Sequence, residues 1–256
     1  MWDLSQHGFL DDEPADTVHP SLWRMARLNR VHGLFEVTPR IYQVRGFDIS
    51  NLTVILGGRG YIVVDPLTCT ETAAAAMDLV REHLGDRPVT GMVFTHSHID
   101  HFGGAGGVVG LEEASAIPIV APAGFAQHAV VEHVNSGVAV SRRSQLMFGK
   151  RLAAGPRGQV SAGLGITLPS GRIGLVEPNV TVSRTGQEVE IDGLRFVFQI
   201  TPGAEAPTAG HFDLPELRAL CLAAQVSHHM PNLHTPRGAQ VRSALAWRSY
   251  PAAPQD

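Results

Sequence analysis

Cysteine is scarce in this chain of 256 residues: Cys69 and Cys221 are the two it has, far apart in sequence. A disulfide framework is thereby excluded as the main source of stability, and two buried thiols are expected instead. Excess positive charge is lacking too. The formal net charge is −4, so there is no basic face to neutralise phosphates and no reason to expect nucleic acid. The short basic pairs Arg142-Arg143 and Lys150-Arg151 read as solvated surface. No apolar run approaches the roughly 20 residues that a membrane span needs. The start, Met1-Trp2-Asp3-Leu4 leading into Asp11-Asp12-Glu13, lacks the basic region and apolar core of a signal peptide. As written, the sequence is expected to be cytoplasmic, or periplasmic or secreted if an upstream segment precedes it.

What is present is ordinary globular composition, 44% hydrophobic and 17% charged. The length suits one large domain over 1–256, with residues 1–20 as an irregular arm and 249–256 as a disordered tail. Ser21 reads as the N-cap of a helix from Leu22 to His32, ended by Gly33. Short β-type runs follow at Leu34–Val37, Ile41–Val44, Leu52–Leu56 and Tyr61–Val64, the last two joined by a Gly57-Gly58-Arg59-Gly60 hairpin turn. The Ala-rich stretch Thr70–His83 predicts a helix, Val89–Thr95 a buried strand, the residues after Gly104 a helix, and Ile117–Ala121 a further strand. Residues 124–185 read as irregular, with a long functional loop over 155–174. Strands are predicted again at Val180–Val182, Glu188–Ile191 and Leu194–Ile200, with Asp192-Gly193 as a hairpin turn. The alternation predicts an α/β layered domain.

The chemistry concentrates in Thr95-His96-Ser97-His98-Ile99-Asp100-His101-Phe102-Gly103-Gly104. In a tight turn after a strand, His96 and His98 can converge on one cation while Asp100 and His101 point to a second. Neutral imidazole suits zinc, and a carboxylate suits zinc or a harder ion. Gly103 and Gly104 let the backbone pass close by without a side chain. Asp65 closes the run Ile62–Val64 and is placed to accept a ligand imidazole N–H and fix its ring. Glu205 lies in a Pro/Gly-rich loop leaving a core strand, where ligand-bearing loops lie, and is assigned to the second cation. His228, His229 and His234 read as polar structural residues.

These residues resemble the metallo-β-lactamase fold, an αββα sandwich. The surrounding stretches resemble its zinc-dependent alkylsulfatase branch. They include Gly33–Val37, Ile41–Gly46, Ser141-Arg142-Arg143, Pro215–Cys221 and Arg237–Arg242, and the likeness runs from about residue 2 to about 248. It implies a zinc-dependent hydrolase that cleaves sulfate esters of alkyl chains to alcohol and sulfate, with two zinc ions and a metal-activated hydroxide as nucleophile. It implies Asp100 as a catalytic ligand, and Asn232 and Arg237 near the sulfate, for which a guanidinium fork is well shaped. A homodimer is implied as well.

The pattern also departs from that branch. Ala224 stands where the family has a Glu bridging both zincs, and alanine cannot bind metal. A third His for the first zinc, a helical dimerisation region and a lipid-carrier-like domain are expected beyond the last matching residues. The chain therefore reads as a truncated member, with the sandwich incomplete at its C-terminus. The alternative reading is a catalytically impaired remnant that binds metal or a partner without turnover. A β-lactam or thioester hydrolase would share the metal chemistry.

Overall fold

The computed structural model describes residues 4–226 and 232–252. After helix α1 (Pro20–Asn29), four apolar runs pair with their chain neighbours as an antiparallel meander: β1 (Gly33–Thr38), β2 (Ile41–Arg45), β3 (Leu52–Leu56) and β4 (Tyr61–Val64). Helix α2 (Thr70–Leu84) then crosses over, and β5 (Val89–Val93) returns parallel to β4. Helix α3 (Leu111–Ser115) leads to β6 (Ile119–Pro122). Helices α4 (Phe125–Val130) and α5 (Gly137–Met147) precede β7 (Val180–Val182). The seven strands form one sheet in chain order. A second, antiparallel sheet holds β8 (Gln187–Ile191), β9 (Leu194–Ile200), β10 (Gly210–Leu214) and β11 (Ala219–Cys221) in the order β11-β10-β9-β8. Helix α6 (Ala244–Ala252) closes the described chain.

The layers follow from strand alternation, which sends successive side chains to opposite faces. β4 is buried on both faces: Tyr61 and Val63 pack with Val54, Met92 and Phe94 against Ala73, Ala76, Met77 and Val80 of α2. Ile62 and Val64 face the other way with Ile55, Val93 and Val120, and meet Phe196, Phe198, Phe212 and Leu214 of the second sheet. Alanine on the buried face of α2 lets the helix lie close to the sheet. The result is the α/β layered sandwich expected from the sequence. The sheets are pinned at one end by Asp192 in the β8–β9 turn. Its carboxylate accepts from the backbone N–H of Arg59 and Gly60 and from Thr90 Oγ1 at 2.9, 3.0 and 2.9 Å. Both cysteines are free thiols, Cys69 buried and Cys221 half-buried. Among the described residues no helix is long and apolar enough to cross a membrane.

Several expectations need correction. Region 124–185 contains α4 and α5, joined by a π-turn over Val131–Asn135. Phe125, Ala129 and Val140 are buried, but Val130, Val131, Val134 and Val138 across the same stretch are exposed, which blurs the apolar periodicity. Residues 249–252 are helical rather than part of a disordered tail, because α6 is tied down from several sides. Gln199 Nε2 donates to Tyr250 O at 3.0 Å, Tyr250 O–H to Pro202 O at 3.2 Å, and Trp247 Nε1 to Gln225 O at 2.5 Å. The arm is not wholly irregular either: Ser5–Asp11 forms a 3₁₀ helix whose Leu10 packs with Trp23, Ala26, Val160 and Ile166. The helix expected after Gly104 is a single 3₁₀ turn, Ala105–Gly107, followed by the short α3.

His211 on β10 is buried, and its Nε2 has no hydrogen-bond partner among the described residues. Burial holds its pKa down at about 4, against an ordinary 6.5. An unfolded chain takes up this proton below about pH 6.5 while the folded chain refuses it until about pH 4, so stability is lost as the pH falls through that window. The loss attributable to His211 is about 3 kcal/mol. Urea unfolding at neutral pH and at about pH 4.5 should show a smaller acid loss in His211→Gln than in the parent chain. Equal losses would assign the acid sensitivity to other groups.

Candidate metal centre

Because β4 and β5 are parallel neighbours, their C-terminal ends lie side by side, and the chemistry sits just beyond them. Asp65 follows β4 with φ +55°, a left-handed conformation that Asp tolerates better than most residues. That backbone turn aims its carboxylate at the segment following β5. Oδ1 accepts from the Thr95 backbone N–H at 2.8 Å, and Oδ2 accepts from Thr95 Oγ1 at 2.6 Å and from His101 Nδ1 at 2.8 Å. Asp65 is thus the hub that shapes the histidine turn.

The turn runs through the 3₁₀ segment Ile99–His101. Gly103 and Gly104 follow in tight quarters: a Cβ on Gly104 would stand 2.2 Å from Pro66 O, and one on Gly103 2.2 Å from Thr68 O. Ser50 Oγ donates to the Asp100 carbonyl and supports the turn from the far side. From the second sheet, the β9–β10 loop reaches across. His96 forms a backbone bridge with Ala209, and Gly210 N–H donates to Thr95 O at 2.9 Å. That loop delivers Glu205.

Among the described residues two groups of potential donors result, each with its ligand atoms within 4.8 Å of one another: His96, His98 and Glu205, and Asp65, His96 and His101. Glu205 therefore sits with the His96–His98 pair, and the charges of Asp100 and His101, to which the sequence reading assigns it, act on it as well. The loop is stitched to His96 through Ala209, which brings Glu205 to that side. Asp100 enters neither group; its Oδ2 lies 3.2 Å from His101 Nε2. His98 Nδ1 is 3.6 Å from Glu205 Oε1.

Burial holds the pKa of His96 well down, with His101 and His98 adding to the effect. Burial does the same for His98, helped by the positive charges of Arg237 and Arg242. Burial opposes charge on His101 as well, but Asp100 and Asp65 outweigh it and raise that pKa well above the ordinary value. Asp100 is lowered in return: His101 overrides the penalty of burial. Burial raises Glu205 against the pull of Arg242.

The donor set fits a divalent ion. His96 Nδ1 meets Thr95 Oγ1 at 2.9 Å, while its Nε2 is buried with no hydrogen-bond partner among the described residues, an arrangement that costs free energy unless something binds there. Neutral imidazoles and a carboxylate are the ligands zinc takes.

Other sequence-picked residues lie nearby or apart. Arg237 is mostly buried, with Nη2 3.6 Å from Glu132 Oε1. Asn232 is exposed, and its backbone carbonyl accepts from Arg242 Nη1 at 2.9 Å. His234 is exposed, and His228 and His229 lie outside the described residues. Arg242 was missed: its Nη2 is 2.9 Å from Glu205 Oε1. His133 was missed too, with Nε2 3.4 Å from Ser97 O. Arg242 ends the Arg237–Arg242 stretch that carries the family likeness but was given no role there, and no motif flagged His133.

A family model described as the metallo-beta-lactamase superfamily matches residues 45–221, a span that holds Asp65, the histidine turn and Glu205. The chain belongs to the metallo-β-lactamase superfamily. Within that superfamily it is 42% identical over 253 residues to an alkyl/aryl-sulfatase of Saccharomyces cerevisiae, covering 98% of this chain and 39% of that protein. It is 43% identical over 254 residues to a linear primary-alkylsulfatase of a Pseudomonas species, covering 98% and 38%. The solved structure of a stereoselective inverting sec-alkylsulfatase from Pseudomonas superposes with a TM-score of 0.94 at 44% identity, over 97% of this chain and 40% of that one. The chain thus spans about two fifths of the length of the curated relatives it matches.

Proposed function

We propose that this chain carries the metal-binding part of a hydrolase of the alkylsulfatase type, which cleaves sulfate esters of alkyl chains to alcohol and sulfate with the help of zinc. The observation that carries this reading is the convergence of His96, His98 and Glu205 on one point, in a fold that superposes at 0.94 on an alkylsulfatase. His96, His98 and Glu205 would hold one zinc, and Asp100 with His101 a second. Bound zinc supplies a water of lowered pKa and a counter-charge for oxygen atoms that gain negative charge.

The protein's own groups divide the remaining work. Asp65 keeps the His101 ring oriented through the 2.8 Å contact to Nδ1. Arg237 offers a guanidinium fork matched to a sulfate oxyanion. Asn232, exposed at the start of the segment that leads to Arg237, would add a polar contact to the same group. A second reading, metal binding without turnover, is favoured by Ala224, which offers no donor where related sequences are expected to place a bridging carboxylate.

Sulfate release from octyl sulfate, followed with His98→Ala as a blank, separates the two. The hydrolase reading expects release by the parent chain and faster release by Ala224→Glu. If both proteins hold zinc and neither releases sulfate, the chain binds metal without turnover.

A further inference from the structure

Among the described residues, Arg242 is the guanidinium that an ion pair joins directly to the donor groups described above. Its side chain is 7% exposed, and Nη2 stands 2.9 Å from Glu205 Oε1. Two more bonds fix it in place: Nη1 donates to Asn232 O at 2.9 Å, and its backbone N–H donates to Leu233 O at 2.8 Å. The same Oε1 atom is the one that faces His98 Nδ1, at 3.6 Å.

The choice of oxygen matters. A group that only orients a ligand carboxylate binds the oxygen turned away from the ion. Arg242 instead takes the oxygen turned toward the imidazole. A divalent ion seated between His98 and Glu205 would share that oxygen with a buried guanidinium, placing two like charges a few ångström apart in a poorly solvated site. Arg237, mostly buried beside Glu132, adds positive charge to the same region.

We propose that Arg242 is a built-in counter-cation for Glu205 that competes with the metal, so that an ion entering at His96, His98 and Glu205 must displace the guanidinium from Oε1. Arg242 is then a determinant of metal affinity. This inference rests on the reading of Glu205 as a metal ligand.

Arg242→Met keeps the length of the side chain and removes its charge. Zinc affinity of the whole chain, measured by competition with a chelator, should rise about tenfold or more in this variant. An orienting role predicts the opposite sign, a loss of about 10–100-fold. Such a loss, or an unchanged affinity, overturns the proposal.

A measurement on the parent chain does not depend on the variant folding. The guanidinium protons of Arg242, followed by NMR during a zinc titration, should lose their protection from exchange as zinc saturates; retained protection overturns the proposal. Glu205→Gln tests the reading beneath it. If that substitution leaves zinc affinity unchanged, Glu205 is not a ligand and both fall together. If it weakens zinc binding while Arg242→Met does not strengthen it, the proposal alone fails.

Discussion

Replacing His98 with alanine should strip the chain of its zinc, weakening binding by more than about 100-fold. Loss of a partner that merely orients a ligand costs about 10–100-fold, and His98 is a ligand in this account. Its position supports the size of the effect. The ring is buried, and burial together with Arg237 and Arg242 keeps it neutral, so metal binding need not first remove a proton. Its Nδ1 and Glu205 Oε1 face each other at 3.6 Å, and no other imidazole in the turn can take its place without breaking the Asp65–His101 contact. Elemental analysis of the parent chain and His98→Ala, purified side by side, is the check. About two zincs per chain in the parent, as such paired sites hold, with little in the variant is the expected pattern. Equal zinc in both would remove His98 from the ligand set.

Asp65→Ala should be the most damaging single change to stability, at about 3–5 kcal/mol. Its carboxylate accepts from three donors: the Thr95 N–H, Thr95 Oγ1 and His101 Nδ1. Deleting it leaves a buried backbone N–H unpaired and removes one of the two carboxylates that hold the charge on His101. Alanine also tolerates the +55° φ poorly, which adds to the cost. Asp65→Asn keeps an acceptor oxygen and the left-handed backbone, so it should lose less. Chemical denaturation followed by circular dichroism measures both. A loss under about 1 kcal/mol for Asp65→Ala would mean the histidine turn is held from elsewhere.

The strands that position this site were legible because their side chains obey a simple period. Tyr61–Val64 and Val89–Val93 are short, apolar and bounded by Gly or Pro, and each forms the strand expected within a residue or two. The turn His96–His101 announced itself by residue type alone. What was hidden has a physical cause in each case. Helices α4 and α5 bury only Phe125, Ala129 and Val140 while Val130, Val138 and Leu146 are exposed, so no clear apolar face marks them in the sequence. Strands β10 and β11 are short; β10 pairs with β9 across a loop whose composition signals nothing, and β11 pairs in turn with β10. Glu205 was picked as a donor, but its closeness to His96 and His98 was hidden, because it depends on a backbone bridge between His96 and Ala209. Arg242 stands 37 residues beyond Glu205 in the sequence, and the contact depends on the path of the chain between them.

That bridge has a mechanical meaning. His96 belongs to the end of the first sheet and Ala209 to the entry of the second, so the point where the two sheets are sewn together is also a corner of the donor set. The spacing between His96 and Glu205 is therefore a gauge of how the two sheets sit on each other. Any slip along the Phe196–Phe212 layer between them is transmitted to the donors as a change in bite. Conversely, an ion held by both sides acts as a rivet through the sandwich, and the two halves should then loosen together rather than one before the other.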